Sequence, residues 1–333
     1  MTTSAPRLGA VAYLNMLPFF AEDPGMMLTE TPAQLNSLMA AGAVDAGCSS
    51  LIAGLRNGLV PLSPALGVAA ESGVGSVYLE PLGLSRHPNQ SEAWQKWVTD
   101  LRNAYRVGPA PNTSPTHLRI LTCGASAQSL WLVQTMAHWL GMATTVLPVP
   151  EVWHTLDEKH LLQALDRQDN STTLTALLVI GDPALLRDHA FPVESIRSQA
   201  MPWPWRLDVA DLWSSFTGLP CIFALWFAAQ NSSQDLTQLT SRHLATCIER
   251  WQQRSRSQKW AAAQEFLQTR ENHELLDKLG PERIGAYLDN LRFELDGPEH
   301  RESLAIMKTL ATRNPEARPS VGRLFDRILD RHP

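Results

Sequence analysis

The residue best placed to meet a ligand is Asn15, in Ala12-Tyr13-Leu14-Asn15-Met16-Leu17-Pro18 directly after the apolar run Leu8-Gly9-Ala10-Val11. An uncharged amide at the end of a first strand is both donor and acceptor, and open α/β sheets take ligands outside the carboxyl ends of their strands. The alternative is that Asn15 caps the turn into Met16–Phe20. A second cluster, Cys123-Gly124-Ala125-Ser126-Ala127-Gln128-Ser129, stands between an expected strand and an expected helix. First-turn amides with the Ser126 and Ser129 hydroxyls suit a carboxylate without any Lys or Arg, and Gln128 is a binding candidate beside them; an ordinary Ser N-cap reads the same. Ser76 at a strand start offers a hydroxyl to a ligand or to a neighbouring backbone group. Asp182 ends a strand, as a base or a ligand-orienting group would, and equally as a residue that starts a helix before Pro183. Ser49 and Ser50 face the sheet edge that carries Asn15. Asp208 reads as a helix cap, and Trp213 and Trp226 as core.

These groups need strands and helices to hold them, and the sequence alternates accordingly. Strands are expected at Leu8–Val11, Met26–Thr29, Val44–Gly47, Leu66–Ala70 and Ser76–Leu79. Thr31 and Pro32 open a helix that runs to Gly42, and Ser49 or Ser50 opens another that ends at Gly58. This order predicts a mainly parallel sheet with covering helices. Residues 85–118 break the rhythm: Pro88, Pro109, Pro111 and Pro115 surround one helix-like piece, Glu92–Tyr105, and the stretch reads as an insertion. A second α/β unit follows, with strands Arg119–Cys123, Thr144–Pro148 and Leu174–Ile180 and helices Ser126–Leu140 and Leu161–Arg167. Trp203-Pro204-Trp205 marks a second junction. Beyond it come a helix from Asp208 to Phe216, a turn at Gly218 and a buried strand, Cys221–Ala229. The remainder reads as helical, over Leu239–Trp251, Gln258–Leu267, Glu271–Leu279, Glu282–Leu291 and a last amphipathic piece after Glu299. The expected architecture is a two-lobed α/β clamshell with a helical C-terminus: residues 1–84 with 206–333 in lobe I, 85–205 in lobe II, and a cleft between the lobes.

Composition excludes several classes. The chain has 333 residues, 44% of them hydrophobic, and a net charge of -5 spread without a basic stripe. No nucleic-acid partner and no membrane partner are expected. The four cysteines form no Cys-x-x-Cys pair and the ten histidines are scattered, so neither a disulfide framework nor a metal site is expected, and nothing calls for a cofactor. Met1 to Arg7 carries no basic n-region, apolar core or cleavage site, and no apolar run approaches the roughly 20 residues a bilayer span needs, so a cytoplasmic location is expected.

Four segments together resemble the chorismate dehydratases of the futalosine route to menaquinone, a family with the type II periplasmic-binding-protein-like fold. They are Ala12 to Pro18, Gly73-Val74-Gly75-Ser76-Val77, Leu178-Val179-Ile180-Gly181-Asp182-Pro183-Ala184-Leu185, and Asp208 through Trp226 with its Thr217-Gly218-Leu219-Pro220. The likeness fades in 85–118 and beyond Asn314. It implies a carbon-oxygen lyase that removes water from chorismate to give 3-[(1-carboxyvinyl)oxy]benzoate. It also implies catalytic places for Asn15 and Ser76 and a carboxylate seat at Ser126 and Ser129. Ala127 and Gln128 depart from the family pattern of Ser and Thr around an Arg. Two other readings stay open: a cytoplasmic small-carboxylate binding protein or sensor, and the sibling enzyme that makes dihydroxynaphthoate in the same pathway.

Overall fold

The structure is a computed structural model that describes residues 6–22, 27–30, 32–82, 117–122, 127–139, 141–150, 153, 155–157, 159–161, 173–190, 206–230, 232–270 and 272–312. By packing, the chain divides into one unit of Met1–Glu71 with Pro220–Arg313 and a second whose described residues fall within Ser72–Leu219. The expected junctions after Leu84 and Trp205, like the helix Glu92–Tyr105, lie outside the described residues. The packing boundaries fall elsewhere because the strands nearest those junctions, described below, hydrogen-bond into the second unit's sheet.

The first unit opens with β1 (Leu8–Ala10), a 3-10 turn at Leu14–Met16, α1 (Leu17–Phe20), β2 (Met27–Thr29), α2 (Pro32–Ala40), β3 (Ala46–Ser50), α3 (Leu51–Arg56), β4 (Val60–Pro61) and β5 (Leu66–Ala70). β1 pairs in parallel with both β2 and β3. Two glycines explain how closely α2 covers this sheet. A Cβ on Gly9 would stand 2.5 Å from Leu35 Cδ1, and one on Gly47 would stand 2.6 Å from Met39 Sδ. Leu35 and Met39 are themselves fully buried, so a larger residue at either strand position would displace their side chains within a packed interior.

The second unit holds β6 (Val77–Leu82), β7 (His117–Thr122), α4 (Ala127–Trp139), β8 (Ala143–Pro148), β9 (Thr173–Ile180), α5 (Asp182–Ala190), β10 (Leu207–Asp208) and α6 (Val209–Thr217). Its sheet runs β10-β6-β9-β7-β8. β7 is parallel to β8 and β9, whereas β6 is antiparallel to β9 and to β10. The chain then returns to the first unit with β11 (Cys221–Ala228), α7 (Gln234–Gln253), α8 (Arg256–Thr269), α9 (His273–Asp289), β12 (Leu291–Glu294) and α10 (Pro298–Thr312). That sheet runs β12-β5-β11-β3-β1-β2, with β4 beside β11. Ile222, Leu225, Trp226 and Phe227 of β11 are completely buried, as an apolar run in a central strand must be.

Both sheets are therefore mixed, not mainly parallel. A parallel neighbour requires a long crossover inside its own unit, and β6 and β11 are the strands that begin after the chain leaves the other unit. Each is antiparallel to its neighbours. The end of the chain is not wholly helical either, since Leu291–Glu294 forms β12 against β5. The two helices expected around 271–291 form α9, broken where Gly280 takes φ 68° and ψ 175° ahead of Pro281. The proline excludes the helical conformation from the residue before it.

The interior of the second unit contains charge. The Arg187 Nε donates to Glu80 Oε2 at 2.9 Å, the Arg206 Nε donates to the same oxygen at 2.8 Å, and Arg206 Nη1 reaches Asp188 Oδ1 at 3.1 Å. Arg206 precedes β10 directly opposite Glu80 in register, and its guanidinium lies 4.8 Å from the Tyr78 ring centroid. Burial pushes the Glu80 carboxyl up, but the hydrogen bond and charge of Arg187 and the charge of Arg206 outweigh it and hold the group below its ordinary value.

Candidate functional site

One edge of the second unit's sheet collects the candidate groups. The parallel strands β7 and β9 end there, at Thr122 and Ile180. Because β6 is antiparallel to β9, its start lies beside the end of β9: Val77 pairs with Ile180, and Ser76 comes immediately before it. β10 ends at the same edge, with Asp208 opposite Tyr78. Ser76 is buried at 2% exposure, and its carbonyl accepts the Gly181 N–H at 2.7 Å. Asp182, also buried, is the first residue of α5. Ser126 lies outside the described residues, while Gln128 and Ser129 are buried in the first turn of α4.

Two hydroxyls at this edge are enclosed without a hydrogen-bond partner among the described residues: Thr122 Oγ1 at the end of β7 and Ser129 Oγ in α4. Buried polar groups are paired in the great majority of cases, because an unpaired hydroxyl forfeits its hydration. At the start of a helix, a carboxylate is the group such hydroxyls and first-turn amides pair with best.

The first unit repeats the arrangement. β1 and β3 are parallel, so Asn15, which follows β1, and Ser49 and Ser50, which end β3, lie at the carboxyl edge of one sheet. Asn15 does not cap α1, whose N-cap is Met16 with no side-chain bond. Its Oδ1 is buried and has no partner among the described residues. Ser49 Oγ donates to Asn36 Oδ1 at 2.8 Å, and Ser50 is the N-cap of α3, its hydroxyl accepting the Ala53 N–H at 3.3 Å. The first unit thus leaves Asn15 Oδ1 without a partner among the described residues and commits its two serines to bonds within the unit.

Asp208 caps α6 as expected, with Oδ1 accepting from Ala210 N at 2.8 Å. Its second oxygen accepts from Gly75 N at 2.7 Å. Burial raises its carboxyl from an ordinary 3.8 to about 6. Trp213 and Trp226 are completely buried, and their Nε1 atoms are also without partners among the described residues, so unpaired polar atoms occur in the cores as well as at the edges. Sequence reading missed Thr122; the signal for it was a polar residue closing the apolar strand just before the Cys123–Ser129 cluster. Among the described residues no His, Cys, Asp or Glu side chains gather in threes as a metal would need, and no helix is long and apolar enough to cross a membrane.

Two α/β units, each with a sheet in which an antiparallel strand follows the passage of the chain from the other unit, have the periplasmic-binding-protein-like fold. Residues 154–313 match the model of a family described as menaquinone biosynthesis. Protein AF1704 from Archaeoglobus fulgidus has a similar structure, with a TM-score of 0.54 and 12% identity over 92% of this chain and 96% of that one. The periplasmic aliphatic sulphonate binding protein SsuA from Escherichia coli aligns at a TM-score of 0.48 and 11% identity, over 93% of this chain and 92% of that one. Comparison with curated protein sequences gives no match.

Proposed function

We propose that this chain is a chorismate dehydratase, a hydro-lyase that converts chorismate to 3-[(1-carboxyvinyl)oxy]benzoate in menaquinone biosynthesis. The reading is supported by the match of residues 154–313 to a menaquinone-biosynthesis family and by enclosed oxygens without partners among the described residues at the strand ends of each unit taken by itself, Asn15 Oδ1 in the first and Thr122 Oγ1 and Ser129 Oγ in the second. The reaction takes a proton from the ring carbon bearing the enolpyruvyl ether and a hydroxyl from its neighbour. Aromatisation supplies the driving force, so the protein's work is to hold a dicarboxylate in one conformation and help hydroxide leave.

In this reading Thr122, Ser129 and the first turn of α4, with Ser126 ahead of it, seat one carboxylate through neutral donors, and Gln128 and Asp182 shape that seat. Asn15 offers Oδ1 to the substrate's hydroxyl proton and an N–H to the oxygen as it takes up charge. Ser76 donates to the ring carboxylate or relays a proton, and Ser49 and Ser50 support the edge beside Asn15. A carboxylate of the substrate itself removes the ring proton, which leaves with the hydroxide as water. No metal or redox cofactor takes part in this scheme.

The test is to incubate purified protein with chorismate and analyse the product by mass spectrometry and ultraviolet absorption. An aromatic acid lighter than chorismate by one water supports the reading. Chorismate that binds and stays intact refutes it and favours a sensor.

A further inference from the structure

Resting on the reading of Ser76 as a substrate-contacting residue, we propose that Asp208 is a positioning residue for it, clasping the loop that carries Ser76 to the start of α6. Three features argue for a clasp beyond an ordinary cap. First, the two carboxylate oxygens are divided: Oδ1 serves the helix through Ala210 N at 2.8 Å and Asp211 N at 3.4 Å, while Oδ2 accepts from Gly75 N at 2.7 Å, and the Val74 amide faces the same carboxylate. Second, the loop Gly73-Val74-Gly75-Ser76, whose Val74 and Ser76 are buried, turns at a residue that only its backbone can hold. Gly75 takes φ +72° with nothing within 4 Å of where a Cβ would be, so at Gly75 itself the turn is held by backbone bonds and not by side-chain packing. Its other anchor is the Ser76 carbonyl, which accepts Gly181 N–H at 2.7 Å. The backbone also passes tightly by α6, since a Cβ on Gly73 would stand 3.0 Å from Asp211 Oδ2.

Third, capping alone does not require this residue. Asn and Ser cap helices as well as Asp does. An aspartate here is harder to ionise, its carboxyl raised to about 6 by burial, with the neighbouring Asp211 charge adding to the effect. What a carboxylate adds over Asn or Ser is a second acceptor oxygen. That oxygen is the one on Gly75. Asp208 and Gly75 are 133 residues apart in the chain, so the bond sets Ser76 against an element that local sequence cannot provide.

Asp208→Asn separates the two roles. The amide keeps one acceptor for the helix and turns its NH2 toward the Gly75 N–H, where two donors cannot pair. The expected result is a dehydration kcat lowered about a hundredfold, the scale on which misplacement of a reacting group acts, with KM within about twofold and an unchanged far-ultraviolet spectrum. Asp208→Ser, which also caps but cannot span to Gly75, should behave alike. Combining Asp208→Asn with Ser76→Ala should cost no more than Ser76→Ala alone, because both act through one hydroxyl. Wild-type kcat in Asp208→Asn, or losses that multiply in the double variant, overturn the proposal. Amide exchange at Gly75, read by NMR on ¹⁵N-glycine-labelled protein, is independent of the reaction: faster exchange in Asp208→Asn supports the clasp, and unchanged exchange overturns it. A wild-type protein that does not act on chorismate would fail the functional reading, and the Gly75 amide would then decide the clasp by itself.

Discussion

Replacing Ser129 by alanine should stabilise the ligand-free protein and weaken its hold on chorismate. Ser129 is 1% exposed, and its Oγ has no hydrogen-bond partner among the described residues. A buried hydroxyl left unpaired costs about 1–3 kcal/mol by mutational measures, so its removal should return on the order of 1 kcal/mol after the loss of its packing contacts. In a unit of this size that raises the midpoint of thermal unfolding by about 2–4 °C. The ligand-bound state moves the other way. A hydrogen bond to a charged group contributes about 1.5–3 kcal/mol, which makes binding weaker by roughly tenfold to 150-fold. Thermal unfolding without ligand and calorimetric titration with chorismate, run on the same preparations, read both signs. A structural hydroxyl gives the opposite pair, so a lowered midpoint with unchanged chorismate affinity would refute the reasoning.

Glu80→Gln should destabilise by about 3–5 kcal/mol, because it leaves Arg187 and Arg206 enclosed without their shared carboxylate; urea unfolding measures it, and a loss under about 1 kcal/mol would show that the network is solvated. Asp208 binds its proton more tightly folded than unfolded, its carboxyl rising from 3.8 to about 6. Its stabilising contribution is therefore whole below about pH 3.8, is lost as pH rises through about 6, and amounts to about 3 kcal/mol. The stability of wild type relative to Asp208→Asn should fall by up to that amount between these limits, and a flat difference would contradict it. Gly75→Ala meets nothing within 4 Å but sits at φ +72°, so its cost in thermal unfolding should be the backbone's alone, about 1–2 kcal/mol.

The α/β alternation was legible because its signals are local. Pro32 opens α2, Gly218 in the left-handed conformation closes α6, and the apolar run Cys221–Ala228 reads as a buried strand. Strand direction was not legible: nothing within Val77–Leu82 or Cys221–Ala228 tells which neighbours they meet, and that choice made the sheets mixed. The strand Leu291–Glu294, whose first residue the sequence places at the end of the helix Glu282–Leu291, was not legible for the same reason, since its strand character comes from pairing with β5. At the candidate edges, residue type and position marked Asn15, Ser76 and Ser129. Sequence could not say which hydroxyls would be left unpaired, nor that Ser49 would turn to Asn36 and Asp208 to Gly75. Those outcomes depend on contacts between elements, over 13 residues for Ser49 and Asn36 and 133 for Asp208 and Gly75.

In the proposed reaction neutral donors at strand ends carry the loss of water, and the decisive experiment is single-turnover kinetics of Asn15→Ala with chorismate. The rate of product formation is followed by rapid quench and the dissociation constant is measured on the same protein. A donor aimed at charge that develops only as hydroxide leaves should cost about a hundredfold to a thousandfold in rate, with affinity within about twofold. An unchanged rate, or a loss confined to affinity, would contradict the claim.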